Sequence, residues 1–422
     1  MNIFKKIAKS FVGSILSAPA SSPNIVAAVV KHDSVVPVVQ SAVVDPKADK
    51  ILAHAIDAKD QLLPKLITQL AVMQPSSLAT ALRLITAYHL SIESTNSANY
   101  TRKENDLWSD IVEKELADLI LILNNKDAAK LVDYLMHFGE SYTWFGGLCF
   151  SLDGYNYLNK DEKNVAISYF DKLICLAEAV GAISHENPEQ GAWGEHVKLD
   201  VNTLTQLVAQ STGTSLQVPP GIVPVTGIET PIGPIHYRHL NAYYAAWRVK
   251  NLANKSDQSG TSVCEFGAGN GIAAFYASRM GVDSYTTLDL PITNVFSAWF
   301  LINALGGDKV SLHGEVPRAS GVTILPSWKC ADIPADAFDV VLNQDSFPEI
   351  DRTLLLSYFD VIVKTSQAYF LSINHETESP MADVKHSHVS KILRHHQHFR
   401  LLARSKYWVR EGYVEELYQI SK

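Results

Sequence analysis

The sequence predicts an α/β protein in which a doubly wound, nucleotide-binding sheet follows an all-α region. Three observations carry this. First, residues 262–266 read as a short strand that runs into Gly267-Ala268-Gly269-Asn270-Gly271; a helix from Ile272 to Met280 and a second strand, 284–288, ending at Asp289, come next. Second, two more apolar strand runs (337–343 and 368–374) precede a closing pair, 401–407 and 414–420, across Arg410-Glu411-Gly412. Third, from Lys47 to about Ser211 apolar residues recur at helical spacing.

The glycine turn comes first because it carries the chemistry. Glycines let the backbone pass a ligand with no Cβ in the way. An acid ending the second strand can accept both hydroxyls of a ribose. The dinucleotide fingerprint is GxGxxG. Here the third glycine, Gly271, arrives one position early, and Glu265 stands two residues before Gly267. A pyrophosphate would be repelled by that carboxylate, which disfavours a nicotinamide-dependent dehydrogenase. An ammonium beside a sulfonium would be attracted.

Strand 337–343 ends at a polar cluster, Asn343-Gln344-Asp345-Ser346-Phe347-Pro348-Glu349, and strand 368–374 ends at His375-Glu376. Ligands of open α/β sheets bind outside the carboxyl ends of the strands. Glu265, Asp289, Asn343 to Glu349 and His375 should therefore converge there.

Upstream, Leu62, Leu63, Leu66, Ile67 and Leu70 predict one helix. Ile111, Leu116, Leu119, Ile120 and Leu123 predict another, and Ile167, Phe170, Leu173, Ile174 and Ala177 a third. Such stripes are core rather than cofactor contacts. Residues 212–235 are punctuated by Pro219-Pro220-Gly221, Pro224, Gly227, Pro231, Gly233 and Pro234, so they read as a connecting loop without regular structure. A helix with Tyr237, Arg238, Tyr243, Tyr244, Trp247 and Arg248 should follow.

The first 20 residues place Ile3, Phe4, Ile7, Ala8, Phe11 and Ile15 on one side of a helical wheel and Lys5, Lys6 and Lys9 on the other. That is the pattern of weak membrane-surface contact. A signal peptide is the rival reading, with Ala18-Pro19-Ala20 resembling a cleavage site. Valine pairs separated by Pro23, Pro37 and Pro46 make residues 21–46 an extended linker. The expected organisation is a flexible segment and linker (1–46), a helical domain (47–211), a connecting or lid segment (212–240) and a catalytic domain (241–422).

Composition narrows the function. The chain has 422 residues, 47% hydrophobic and 19% charged, as in an ordinary globular protein. Its formal charge of −8 argues against nucleic acid as the main partner, since phosphate binding calls for a basic surface. Cys149, Cys175, Cys264 and Cys330 are scattered with neither a CxxC pair nor zinc spacing, so they read as reduced. No apolar run reaches the roughly 18 residues of a membrane span. The expected location is the cytoplasm, peripheral at the membrane surface through residues 1–20.

From about residue 140 to the end, the chain resembles the bacterial sugar O-methyltransferase family of class I S-adenosylmethionine (SAM) methyltransferases. The resemblance rests on Asn187-Pro188-Glu189-Gln190-Gly191 with Trp193-Gly194, and on Gly227-Ile228-Glu229-Thr230 with Gly233. It rests equally on Tyr237-Arg238, the stretch Tyr243 to Arg248, the glycine turn with Glu265, Leu325-Pro326-Ser327-Trp328, and Asn343 to Glu349. It implies a Rossmann-like, seven-stranded sheet with an antiparallel C-terminal hairpin, SAM as cofactor, and a sugar, nucleotide-sugar or glycan hydroxyl as acceptor, as in polysaccharide modification. Gly267, Gly269 and Gly271 would lie under the methionine part of SAM, with Glu265 on its ammonium and Asp289 on its ribose. Asn343 belongs to the same cofactor set. Trp328 could stack on the adenine, and Arg238 could pair with the SAM carboxylate.

A sugar hydroxyl is a poor nucleophile and calls for a general base. His375 is the first candidate, because imidazole titrates near neutrality; Asp345 is the second. A metal between Asp345 and Glu376 is unsupported by spacing. The run His386, His388, His395, His396 and His398 reads as a solvated helix face, not a metal site. Two other functions remain: a methyltransferase for another small molecule, and an inactive methyltransferase-like scaffold. The intact Glu265, glycines and Asp289 speak against the scaffold.

Overall fold

The computed structural model describes residues 64–97, 112, 115–138, 162–191, 193–253, 260–377 and 387–422. The expectations for residues 1–46 fall outside this set.

Eight strands form one sheet. They are β3 (Ser262–Phe266), β4 (Ser284–Asp289), β5 (Val310–Leu312), β6 (Gly321–Pro326), β7 (Phe338–Gln344), β8 (Ser366–His375), β9 (Phe399–Lys406) and β10 (Tyr413–Ile420). Their order is β5-β6-β4-β3-β7-β8-β10-β9. All neighbours from β5 to β8 are parallel, while β10 runs antiparallel to both β8 and β9. This is the Rossmann-like methyltransferase sheet with its C-terminal hairpin, and β5 adds an edge strand to the seven expected. The chain moves outward from β3 through β4 to β6, then returns to lay β7 on the other side of β3. That reversal opens the ligand crevice of a doubly wound sheet between the carboxyl ends of β3 and β7.

Alternation along the strands sorts the core onto two faces. Val263, Tyr285, Val340 and Leu342 face α6 (Tyr237–Ala253), α7 (Ile272–Arg279) and α8 (Pro291–Leu305). Cys264, Phe266, Leu288 and Val341 face α9 (Arg352–Thr365) and α10 (Val389–Leu393). Of the helical stripes expected upstream, those through Leu119 and Phe170 appear as α2 (Ala117–Asn124) and α4 (Glu162–Ala179), beside α1 (Ser77–Ser97), α3 (Ala128–His137) and α5 (Val201–Thr212). Their buried side chains, Leu84, Leu135, Phe170 and Leu204 among them, belong to the same hydrophobic cluster as α6, α7 and α8.

Polar ties cross this boundary. Arg83 of α1 grips Glu315 through Nε (2.9 Å) and Nη2 (2.8 Å) and donates to the Val310 carbonyl at 2.9 Å. Lys172 of α4 reaches Glu411, in the β9–β10 turn, at 2.8 Å. The Tyr276 hydroxyl donates to the Leu216 carbonyl at 2.6 Å, and the Trp299 indole to the Ile222 carbonyl at 3.0 Å.

Two expectations are corrected. Leu66 and Ile67 lie not in a helix but in β1 (Leu66–Gln69), which pairs antiparallel with β2 (Val225–Ile228) inside the supposed irregular connector. The Thr68 and Thr226 hydroxyls meet across the pair at 2.7 Å. Pro64 blocks helical continuation just before β1. Long-range pairing then outweighs the apolar spacing. β2 is buried at all four positions, so this stretch is an interior element despite its prolines.

Candidate active site

The site is built where β3, β4, β7 and β8 end. Gly267 has φ +72°, and a Cβ there would collide with the Ser346 side chain from the loop after β7. The glycine turn and the β7 loop thus close on each other over the crevice. Gly271 (φ +78°) leaves room for α8, since a Cβ would sit 2.7 Å from Leu301 Cδ1. Gly269 (φ +59°) donates its N–H to Asp289 Oδ2 at 2.9 Å.

Glu265 and Asp289 flank this turn from adjacent strands. Glu265 is 3% exposed and receives the Tyr285 hydroxyl at 2.9 Å. Burial pushes its carboxyl up to about 7; the Tyr285 hydrogen bond opposes that shift and the Asp289 charge adds to it. Burial also pushes Asp289 up to about 6, against the N–H bonds from Gly269 and Leu290. Among the described residues, neither acid has a salt-bridge partner. Two desolvated carboxyls beside a glycine turn are a site a cationic group would stabilise, because a nearby positive charge offsets the burial cost of ionising them. The residues present therefore fit a ligand that carries a cationic group, as SAM does.

Asn343 is fully buried and its amide is committed. Nδ2 donates to the Phe266 carbonyl (2.9 Å) and to Ser346 Oγ (2.6 Å), while Oδ1 accepts from Asn374 Nδ2 (2.9 Å). It joins the ends of β3, β7 and β8 and shapes the crevice from beneath, with both amide protons already used. Trp328 follows β6 in a short 3-10 helix, is 8% exposed, and donates its indole N–H to Ser94 Oγ of α1 at 3.1 Å. Its indole N–H ties the end of β6 to α1.

Asp345 leaves β7 at φ +72°, a conformation a side-chain-bearing residue adopts at a cost. Its Oδ2 accepts from Arg410 Nη1 at 2.5 Å and its Oδ1 from the Tyr413 hydroxyl. Burial acts to raise its carboxyl, but the guanidinium of Arg410, and then that of Arg238, pull it down to about 2. Arg238 stands in the first turn of α6, with its guanidinium 5.1 Å from the Tyr237 ring centre. The Arg410 guanidinium lies over the Tyr413 ring at 4.0 Å. His375, the last residue of β8, pairs with Tyr413 across the sheet, and their rings meet edge-on at 5.7 Å.

Glu376 is engaged elsewhere. Arg404 binds it at 2.9 and 2.7 Å and Ser390 at 2.7 Å, and with the Arg404 hydrogen bonds leading, its carboxyl falls to about 2. The described histidines of the downstream run do not share a helix face. His388 caps α10, His398 bonds the Ser421 carbonyl, and His396 packs on Phe399; α10 spans only Val389–Leu393. Among the described residues no group of His, Cys, Asp and Glu could hold a metal ion, and no helix is long and apolar enough to cross a membrane.

Tyr285, Arg410 and Tyr413 escaped sequence reasoning, and Ser346 entered it only within the Asn343–Glu349 cluster. Tyr285 carried one signal: it sits an even number of positions from the end of β4, on the face that Glu265 shares. The contacts of Ser346, Arg410 and Tyr413 depend on how loops fold back.

No family model matches the chain, and no curated protein matches it. Solved structures do. Magnesium protoporphyrin IX methyltransferase from Synechocystis PCC 6803 with bound SAM is similar at 13% identity, covering 43% of this chain and 80% of that one, with a TM-score of 0.32. The same enzyme with bound SAH gives 12%, 45%, 89% and 0.33. A SAM-dependent methyltransferase from Aquifex aeolicus gives 18%, 41%, 88% and 0.31. The strand order, not these likenesses, defines the fold.

Proposed function

We propose that the protein transfers a methyl group from SAM to a hydroxyl of a sugar, nucleotide sugar or glycan. One observation carries the cofactor half of this reading: Glu265 and Asp289, both raised by burial, flank a glycine turn at the switch point of the sheet. Glu265 would hold the ammonium and Asp289 the ribose hydroxyls, while the Gly267–Gly271 backbone would pass beneath the methionine portion. SAM supplies an electrophilic methyl on a sulfonium. The protein's own work is to align the acceptor oxygen with that methyl, exclude water and take up the hydroxyl proton.

His375 is the proposed base. It ends β8 at the carboxyl edge and rests against Tyr413. Asp345 is the weaker candidate, because a carboxylate held near 2 by guanidinium groups has little affinity for a proton. Its proposed part is to position Arg410 and Tyr413 around His375. The sugar acceptor rests on the sequence resemblance.

Calorimetry of SAM binding to the full chain, followed by transfer of labelled methyl from SAM to a panel of nucleotide sugars and glycans, tests both halves. Failure to bind SAM would overturn the cofactor. Transfer only to non-carbohydrate acceptors would overturn the sugar.

A further inference from the structure

The stretch Asn187 to Gly191 with Trp193-Gly194 was singled out in the sequence, and it lies in a loop from His185 to His196 apart from the cofactor site. The Glu186 carboxylate folds it back on itself, accepting the N–H groups of Gly194 (2.7 Å), Glu195 (2.7 Å) and His196 (2.9 Å). Glu178 of α4 holds it from below, 3.1 Å from His196 Nδ1 and 3.8 Å from His185 Nδ1. His185 in turn stacks on Trp408, with ring centres 5.1 Å apart and planes 14° from parallel. Trp408 is 40% exposed and Trp193 is 53% exposed. An exposed indole backed by an imidazole offers a rigid apolar face with a polar edge, the kind of side chain that is enriched at binding surfaces.

The position of this patch matters as much as its composition. Trp408 lies in the turn between β9 and β10 that also carries Arg410, bonded to Asp345, and leads to Tyr413, paired with His375. Lys172 anchors the same turn through Glu411. Trp408 therefore stands in the turn that meets the proposed base at the carboxyl edge of the sheet. The rim of the patch is polar: Asn187, Glu189 and Gln190 are exposed between His185 and Trp193. A pyranose has matching chemistry. Its C–H face is apolar and slightly positive, suited to the negative face of an aromatic ring, and its hydroxyls point outward to a polar rim.

We propose that Trp408, stacked on His185, is the platform on which a saccharide ring of the acceptor lies, with the exposed Trp193 of the His185 loop as a second contact. This rests on the methyltransferase reading above and assigns its acceptor subsite. The platform is built by contacts independent of SAM, so it can be tested alone.

Intrinsic tryptophan fluorescence of the full chain should be titrated with methyl glycosides of glucose, galactose, mannose and rhamnose, and with uridine and thymidine diphosphate sugars, with and without SAM. At least one probe is expected to give a saturable change. Trp408→Ala should weaken that probe about tenfold or more and Trp193→Ala less, while Trp408→Tyr retains most affinity. SAM affinity and melting temperature should match wild type in all three. No saturable response to any probe, or equal affinity in Trp408→Ala, overturns the platform whatever SAM does. A saccharide response with no SAM binding upholds the platform and overturns the methyltransferase reading instead.

Discussion

The carboxylate of Asp289 holds the N–H of Gly269 at 2.9 Å, across the gap between the ends of β4 and β3. Its other oxygen takes the Leu290 N–H at 2.7 Å. One side chain thus fixes the glycine turn and still offers lone pairs to a diol. Asp289→Ala is expected to weaken SAM binding by about ten- to several-hundredfold, since hydrogen bonds to a charged group contribute about 1.5–3 kcal/mol each. Calorimetry reads this directly, and unchanged affinity would remove Asp289 from the site.

The raised carboxyls predict a pH dependence. Glu265 has a folded-state value of about 7, above its ordinary 4.5, so the folded chain holds that proton more tightly than the unfolded chain. Its stabilising contribution is full below about 4.5 and is lost as pH rises through 7. Asp289 behaves likewise up to about 6. In the ligand-free protein, Glu265→Gln should therefore gain in melting temperature relative to wild type as pH goes from 4.5 to 8. SAM should do the opposite to the acids, favouring their ionised forms, so its affinity should rise over the same interval in wild type and less in Glu265→Gln. Parallel melting curves for the two proteins would contradict the assignment.

Gly267 is predicted to be the least replaceable glycine of the turn. Alanine there meets Ser346 and must also hold φ +72°. Overpacking costs about 1–3 kcal/mol and the left-handed backbone about 1–2 kcal/mol, which should lower the melting temperature by several degrees. The double variant Gly267→Ala with Ser346→Gly should recover only the steric part. Full recovery would mean that the backbone conformation carries no cost.

His375→Ala should lower turnover by roughly two to four orders of magnitude with SAM affinity and melting temperature near wild type. Asp345→Asn should lower turnover and melting temperature together, because it leaves Arg410 without its carboxylate. If Asp345→Asn abolishes turnover with the fold intact while His375→Ala stays active, the base is Asp345.

The sheet was legible because its signals are local. Strands 262–266 and 284–289 announce themselves by β-branched and aromatic runs bounded by glycine and an acid, and the structure places them at those residues. β5 and β6 gave weaker signals: β5 has three residues, and β6 follows a proline and glycine stretch. β1 and β2 were hidden because each needs the other, 158 residues away at the Thr68–Thr226 pair, to become a strand. Asp345 illustrates the same limit at the site. Its position after β7 was readable, but its protonation depends on Arg410, which the hairpin brings back from 65 residues further along.

The ties from Arg83, Lys172 and Ser94 fasten α1 and α4 to opposite ends of the sheet, and the core beneath them is continuous. A protease that nicks the chain between the helices and β3 would accordingly release nothing. The halves should run as one particle on gel filtration and melt in one transition. A piece made from the sheet alone should instead aggregate, because Leu301, Phe300 and Tyr276 would lose the apolar layer packed around them.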